Sequence, residues 1–428
     1  MYASAMNVLV IGGGGREHAL CWALSKSGGA GDLFCAPGNA GIGEVARCVQ
    51  VDWKNADAVV GFCRDHDIGL VVIGPEAPLA AGLSDALRDA GLRAVGPSRE
   101  AARLESSKAF MREICEEMKV PSPRNASFKE SEQAKSYVGA NFQEGEKIVV
   151  KADGLAAGKG VVIAASHGEA YGAIDEMFDG KFGEASACVL IEECLEGEEA
   201  SLFYLCDGEV ALAFGNGRDY KRIGEGNTGA NTGGMGAYSP VAELTEEVCT
   251  QVKEEIVNPV LRSMALRGIP FTGFLYAGVM LTSNGVKLLE FNVRLGDPET
   301  QVVLPRLRSN FLELLLTSCS GAGALRGTSL EWDPRNCVTV VMASRGYPGE
   351  YEKGGRIEGI ESPASMEDVH VFHAGTARDG DGGLLAAGGR VLAVSGLGES
   401  LAPARARAYE ALGRIEWSGG IYRRDIGA

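Results

Sequence analysis

No stretch of this chain approaches the roughly 20 consecutive apolar residues that a membrane-spanning helix needs. Its first six residues, Met1-Tyr2-Ala3-Ser4-Ala5-Met6, lack the basic start of a secretory signal. Basic charge is also short: the formal net charge is −16. Neither a nucleic acid nor an anionic membrane surface is attracted to such a balance. The 11 cysteines are scattered, with no C-x-x-C pair and no zinc spacing. Free thiols in a reducing compartment account for them most simply. These absences describe a soluble, cytoplasmic protein whose partners are small molecules.

What is present is length and glycine. A chain of 428 residues exceeds one core and predicts two to four domains, and 60 glycines predict many working loops. Over the first hundred residues, apolar runs at 8–11, 33–35, 70–73 and 93–95 alternate with helical patterns from about 17, at 56–64 and at 79–90. That order predicts a parallel sheet covered by helices. Gly12-Gly13-Gly14-Gly15, Pro37-Gly38-Asn39, Gly74-Pro75-Glu76 and Gly96-Pro97 fall at strand carboxyl ends, where open sheets of this kind bind ligands. The dinucleotide fingerprint G-x-G-x-x-G is missing: counted from Gly12 its third glycine is Glu17, and from Gly13 it is His18. The turn either offers N–H groups to a small anion or simply packs strand on helix.

The middle of the chain holds a second set of glycines. A helix is expected from around Ser106-Ser107-Lys108 to before Pro121. Residues 148–163 place Lys151-Ala-Asp-Gly154-Leu-Ala-Ala-Gly158-Lys159-Gly between two β-type flanks. Walker A is excluded, because only three residues separate Gly154 from Gly158 and Lys159 precedes glycine instead of Ser or Thr. A glycine loop between two strands can still fold over a triphosphate, with Lys151 and Lys159 framing it. Residues 189–201 carry a carboxylate-rich turn, Glu192-Glu193-Cys194-Leu195-Glu196-Gly197-Glu198-Glu199. Residues 215–238 then read as one long glycine-rich loop, including Asp219, Lys221 and Asn231. A structureless loop of that length inside a domain is usually functional.

Near residue 290 the pattern Leu288-Leu289-Glu290-Phe291-Asn292-Val293-Arg294 alternates as a strand. Leu289, Phe291 and Val293 are expected on the core side, and Glu290, Asn292 and Arg294 on the other. A carboxylate and an amide oxygen in a row suit Mg²⁺, which needs only one or two protein ligands when phosphates supply the rest. Arg294 can grip a carboxylate or phosphate in a fork.

Together these strings resemble the ATP-grasp enzymes and, more closely, the glycinamide ribonucleotide synthetase (phosphoribosylamine–glycine ligase) family. The resemblance rests on Lys108, 151–160, 191–193, Asn231-Thr-Gly-Gly-Met-Gly-Ala-Tyr-Ser-Pro240 and Glu290-Phe-Asn-Val-Arg-Leu-Gly-Asp-Pro-Glu299. It rests also on strings at 13–19, 36–41, 72–78 and 371–376, so it spans nearly the whole chain. It implies an N-terminal Rossmann-like substrate domain over 1–105 and an ATP-grasp domain over 106–320 with a lid at about 121–192. A small C-terminal α+β domain over 321–428 would close one side of the site. It implies ATP contacts at Lys108, Lys151, Gly154, Gly158, Lys159, Glu192, Glu193, Cys194, Leu195, Glu199 and Asn231. Glu290 and Asn292 match ligands for Mg²⁺ or Mn²⁺. Arg294, Asp219 and Lys221 match the reacting centre, and Gly14, Gly15, Asn39, Pro75, Glu76, Gly234 and Asp297 the substrate site. Tyr220 stands where histidine is frequent, and Ala230 where proline is. The implied reaction joins glycine to 5-phosphoribosylamine through a glycyl phosphate, with ADP and phosphate released, in a monomeric enzyme of purine synthesis. Two rivals are a ligase of the same class with another acid or amine, and a nucleotide-binding protein without catalysis. His370 and His373 read as structural.

Overall fold

The computed structural model describes residues 5–154, 160–180 and 188–428. The strand Met6–Gly12 carries Val8, Leu9, Val10 and Ile11 with no solvent exposure, as a central parallel strand covered on both faces requires. It pairs in parallel with Ala30–Pro37 on one side and Ile68–Ile73 on the other. Arg47–Cys48 and Ala94–Val95 form the edges of this five-stranded sheet. The strand order reverses beside Met6–Gly12, so the turns after Gly12 and Ile73 open on one crevice. The helix expected over 79–90 is two helices, Glu76–Ala80 and Leu83–Asp89. They break at Gly82, whose φ of +90° is a left-handed conformation that glycine adopts freely.

Ser107 caps the next helix, Lys108–Glu117, by accepting from the Phe110 N–H. A separate four-stranded antiparallel sheet follows, in the order Asn125–Phe128, Val189–Glu193, Ile148–Ala152, Val161–Ala164. Helices Ser131–Asn141 and His167–Phe178 cover it, and it owns a core built on Val138, Ile148, Val150, Ile174 and Ile191. The glycine loop does join two antiparallel neighbours, Ile148–Ala152 and Val161–Ala164. Gly158 and Lys159 lie outside the described residues.

The largest sheet is antiparallel and runs Gly285–Asn292, Thr272–Thr282, Glu198–Asp207, Ala211–Asp219, Gly236–Ser239, Asn336–Ser344, Arg390–Gly398, Val369–His373. The C-terminal strands therefore continue the sheet that carries the candidate site: Gly236–Ser239 is hydrogen-bonded directly to Asn336–Ser344. Helix Leu401–Leu412 lies so close on this sheet that a Cβ at Gly398 would meet the Ala404 nitrogen at 2.4 Å.

The long loop expected at 215–238 is a correction. It is mostly strand: the end of Ala211–Asp219, a hairpin of Arg222–Gly224 with Thr228–Asn231, and Gly236–Ser239. Backbone bonds from Tyr220 N to Gly236 O and from Met235 N to Tyr220 O hold its ends together. Glycine weakens strand propensity without preventing pairing, and buried Met235, Ala237 and Tyr238 supply the packing that decides.

No helix among the described residues is long and apolar enough to cross a membrane. The fold is thus mixed α/β: an N-terminal parallel sheet, an antiparallel sheet spanning centre and C-terminus, and a small sheet standing on its own core.

Candidate active site

Strand Gly285–Asn292 lies at the sheet edge, paired with Thr272–Thr282. The register shifts between the pairs Gly278↔Glu290 and Val279↔Leu288, so Leu289 is the extra residue of a β-bulge. Simple alternation assigns Leu289 to the core, and the structure corrects this: Leu289 is only partly buried. Val286 and Leu288 before the bulge, and Phe291 and Val293 after it, all enter one hydrophobic cluster. The extra residue reverses the parity of the strand, which is how both apolar pairs reach the same core. Glu290, Asn292 and Arg294 are left on the opposite side.

The Glu290 side chain makes no hydrogen bond or ion pair among the described residues, although Lys108 and Lys221 both feel its charge. Asn292 Oδ1 accepts from Arg294 Nη2 at 3.3 Å. Two hard oxygens on one face fit a Mg²⁺ or Mn²⁺ ion that takes its remaining ligands from phosphate and water. Among the described residues no group of three or more His, Cys, Asp or Glu could form a closed metal cage. That is the donor set expected for a nucleotide-borne ion rather than a structural one.

Two candidate phosphate lysines come from separate elements. Lys108 Nζ donates to Gly154 O at 2.8 Å, and burial pushes its pKa down against the pull of Glu290. Lys151, on Ile148–Ala152, sits 2.6 Å from Glu192 Oε2. The Glu192 carboxylate is buried and its other oxygen accepts from Arg112 Nε at 2.6 Å, so both oxygens are engaged within the protein. Glu193 faces Lys287 at 2.8 Å, and Cys194 and Leu195 form the partly buried turn that follows the strand.

Asp219 ends its strand, and Lys221 extends to Glu199 Oε2 at 2.5 Å and Asp219 Oδ1 at 3.8 Å. Asn231 pairs with Arg222 in the neighbouring hairpin. Beneath them lies Glu299, 4% exposed, which accepts from Ser201 Oγ at 3.3 Å; Ser201 in turn lies 2.9 Å from Tyr276 Oη. Burial and the adjacent charge of Asp219 raise the Glu299 carboxyl to about 7. Tyr220 points elsewhere: its hydroxyl accepts from the Gly427 N–H at 2.9 Å.

Arg294 joins this cluster to the N-terminal crevice. Its Nε lies 3.2 Å from Glu76 and its Nη2 3.1 Å from Glu105. The fork anticipated as a substrate grip is thus closed on two protein carboxylates. Pro75 caps the Glu76 helix. In the glycine turn, the Gly14 N–H donates to Glu17 Oε2 at 2.6 Å, and a Cβ at Gly15 would meet Gln301 Nε2 at 2.5 Å. Gln301 also donates to Asp297 Oδ1 at 2.7 Å, and Arg390 reaches Asp297 Oδ2 at 3.3 Å. Arg390 Nη1 donates as well to the carbonyl oxygens of Gly233 (2.5 Å) and Gly234 (3.3 Å). Asn39 spans the junction, donating to Gly13 O at 2.9 Å and His373 O at 2.8 Å. The candidates therefore form two groups, one around Glu290 and Lys221 and one around Asp297 and Gly14, bridged by Arg294.

Sequence reasoning passed over Arg112, Glu105, Glu299, Gln301 and Arg390. Glu299 closes a string already quoted for its glycine and aspartate. Arg112 stands among the apolar residues of its helix, and Arg390 is 93 positions from Asp297; nothing local marks either one.

Comparison with known proteins agrees along the whole chain. Family models described as phosphoribosylglycinamide synthetase match by domain: the N domain at residues 6–105, the ATP-grasp (A) domain at 106–300 and the C domain at 337–428. A phosphoribosylamine–glycine ligase of Mesorhizobium japonicum is 50% identical over 422 residues, covering 99% of this chain and 98% of its own. The ligase of that name from Rhizobium meliloti is 50% identical with the same coverage. Among solved structures, a Thermotoga maritima phosphoribosylamine–glycine ligase superposes with a TM-score of 0.85 at 32% identity, covering 98% of this chain and all of that one. The biotin carboxylase domain of a Hydrogenobacter thermophilus 2-oxoglutarate carboxylase, solved with MgADP and bicarbonate, gives 0.73 at 16% identity, covering 98% of this chain and 92% of that one. The last likeness is one of fold.

Proposed function

This chain belongs to the phosphoribosylglycinamide synthetase family, and from that premise we infer that it is an ATP-dependent ligase joining glycine to 5-phosphoribosylamine in purine biosynthesis. The observation that carries the reading is the pairing of Glu290 and Asn292 on one strand face, with Lys108 and Lys221 close enough to feel the Glu290 charge. A carboxylate, an amide oxygen and fixed ammonium groups are what phosphoryl transfer asks of a protein, because it depends on positioning and charge neutralisation.

Glycine's carboxylate oxygen attacks the γ-phosphorus of ATP, the bond to ADP breaks, and glycyl phosphate forms. The amine nitrogen of phosphoribosylamine then attacks the glycyl carbonyl, phosphate leaves and the nitrogen gives up a proton. Lys108 and Lys151, with Gly154, Gly158 and Lys159, bind the ATP phosphates. Glu193, Cys194, Leu195, Glu199 and Asn231 border the adenosine, and Glu192 acts through the Lys151 it holds. Glu290 and Asn292 would hold Mg²⁺ or Mn²⁺, which when bound screens the phosphate charge. Asp219 and Lys221 orient the acyl phosphate, and Arg294 keeps Asn292 in place. Gly14, Gly15, Asn39, Pro75, Glu76, Gly234 and Asp297 line the substrate crevice. Because an acyl phosphate hydrolyses when wet, the small sheet over 125–193 serves as the lid that excludes water. The enzyme works as a cytoplasmic monomer in this reading.

The test is ADP release with Mg-ATP and glycine, with and without phosphoribosylamine generated in the cuvette, and mass detection of product. ADP and glycinamide ribonucleotide appearing only when both co-substrates are present is the expected result. Turnover with a different acid or amine instead would discard these substrates and keep the chemistry.

A further inference from the structure

Arg112 lies on Lys108–Glu117 with its side chain 2% exposed, beside an equally buried Glu192 and a Lys151 only 11% exposed. The three form a shared pair: Glu192 Oε1 accepts from Arg112 Nε at 2.6 Å, and Oε2 lies 2.6 Å from Lys151 Nζ. The other arms of Arg112 donate to Leu288 O at 3.3 Å and Leu289 O at 2.8 Å, at the bulge that orients Glu290. Buried charges persist where each finds partners. Here the partners do not cancel, since two cations share one carboxylate and one positive charge is left over. Burial raises the Glu192 carboxyl, but Lys151 and Arg112 outweigh it and hold it below the ordinary range, so the acid stays ionised. Lys151 is the least buried of the three.

We propose that Arg112 is a positioning residue for the nucleotide: by neutralising Glu192 it leaves the Lys151 ammonium uncompensated and available to the phosphates. This rests on the reading of Lys151 as a phosphate contact. Were Arg112 absent, Lys151 and Glu192 would close into a neutral pair and the site would lose a full unit of charge. Tying the same guanidinium to Leu288 and Leu289 keeps that charge in register with the strand that bears Glu290.

The experiment is calorimetric binding of MgATP, MgADP and adenosine to the full chain, as wild type, R112M, R112K, K151M and the double variant R112M/E192Q. R112M is expected to weaken MgATP by about tenfold or more, one unit of pK-scale free energy, and to leave adenosine within about twofold. R112K, which keeps the charge, is expected to retain most of the affinity. The double variant is expected to recover MgATP binding, because no carboxylate is left to cancel the Lys151 charge although the bonds to Leu288 and Leu289 are gone. Equal weakening of adenosine and MgATP, or no recovery in the double variant, overturns the proposal in favour of a purely structural arginine. If R112M does not fold, R112K and the double variant decide: wild-type MgATP affinity in both supports the proposal, and tenfold weakening of the double variant overturns it. K151M separates the two readings. Unchanged MgATP affinity there removes the phosphate contact itself, whereas weakening there with R112M unaffected removes only the role of Arg112.

Discussion

The guanidinium of Arg294 lies 3.2 Å from the carboxylate of Glu76, a residue 218 positions earlier in the chain. A second arm, Nη2, reaches both Glu105, 8% exposed, and Asn292. The N-terminal crevice and the strand proposed to hold the metal are thereby set against each other by a single side chain. Arg294→Met should cost about 3 kcal/mol in chemical unfolding, because the buried Glu105 loses its counter-charge. It should also raise the Mg²⁺ concentration needed for half-maximal turnover. An unchanged Mg²⁺ requirement would detach Arg294 from Asn292.

Glu290→Ala should abolish turnover and leave the melting temperature within a few degrees of wild type, since the Glu290 side chain is only partly buried and makes no hydrogen bond or ion pair among the described residues. Activity assays over a Mg²⁺ series together with a thermal melt check both halves. Wild-type turnover at ordinary Mg²⁺ would refute the metal assignment.

Glu299 makes a prediction about pH. Its folded pKa of about 7 lies above the reference 4.5, so its protonated form favours the fold. That contribution is complete below pH 4.5 and disappears as pH rises through 7. Glu299→Gln, which keeps the neutral shape, should therefore gain stability over wild type at pH 8 and gain almost nothing at pH 4.5. Urea melts at the two pH values measure it, and a pH-independent difference would sink the idea.

The buried histidines act in the opposite sense. Burial first, and a neighbouring charge second, bring His18 to about 3 and His370 and His373 to about 4. Their neutral forms support folding fully above the reference 6.5, and that support is lost as pH falls toward 4. The melting temperature should drop across this window, and less so in His370→Phe, which keeps a ring against Trp22, now 4.6 Å away. Parallel curves for the two proteins would clear His370 of any part in the acid loss.

Arg423 is 1% exposed and donates to Arg222 O at 3.0 Å and Asn227 Oδ1 at 3.1 Å, with its guanidinium 5.0 Å from the Tyr220 ring. It pins the hairpin that follows Lys221 to the C-terminus. Arg423→Ala should lower stability by about 2 kcal/mol, from lost charged hydrogen bonds. Turnover should fall with it, read as kcat at saturating substrates; an unaltered kcat would show that the hairpin keeps its place unaided.

Much of this architecture could be read from the residues because local pattern and final packing agree. The run Val8 to Ile11 is buried on both faces, and the helix expected near Ser107-Lys108 begins there. The glycines of 215–238 misled, since pairing partners far along the chain outweighed weak local propensity. Leu289 misled for a related reason: a bulge is a property of two strands, and one strand's alternation cannot disclose it. For the site, the strings containing Glu290, Asn292 and the lysines stood out chemically. Arg112, Arg390 and Glu105 did not, because each acquires its partner only when distant segments meet.

The bond between Gly236–Ser239 and Asn336–Ser344 bears on how this chain can be divided. A fragment stopped before residue 336 would bare a row of unpaired N–H and C=O groups along Gly236–Ser239, and its missing remainder would bare the matching row. Such edges recruit one another or any passing strand, so each half is expected to aggregate where the whole stays dispersed. Shuffling the last segment among relatives would likewise transplant one side of a seam, and would succeed only where the incoming strand offers the same register to Ala237 and Tyr238.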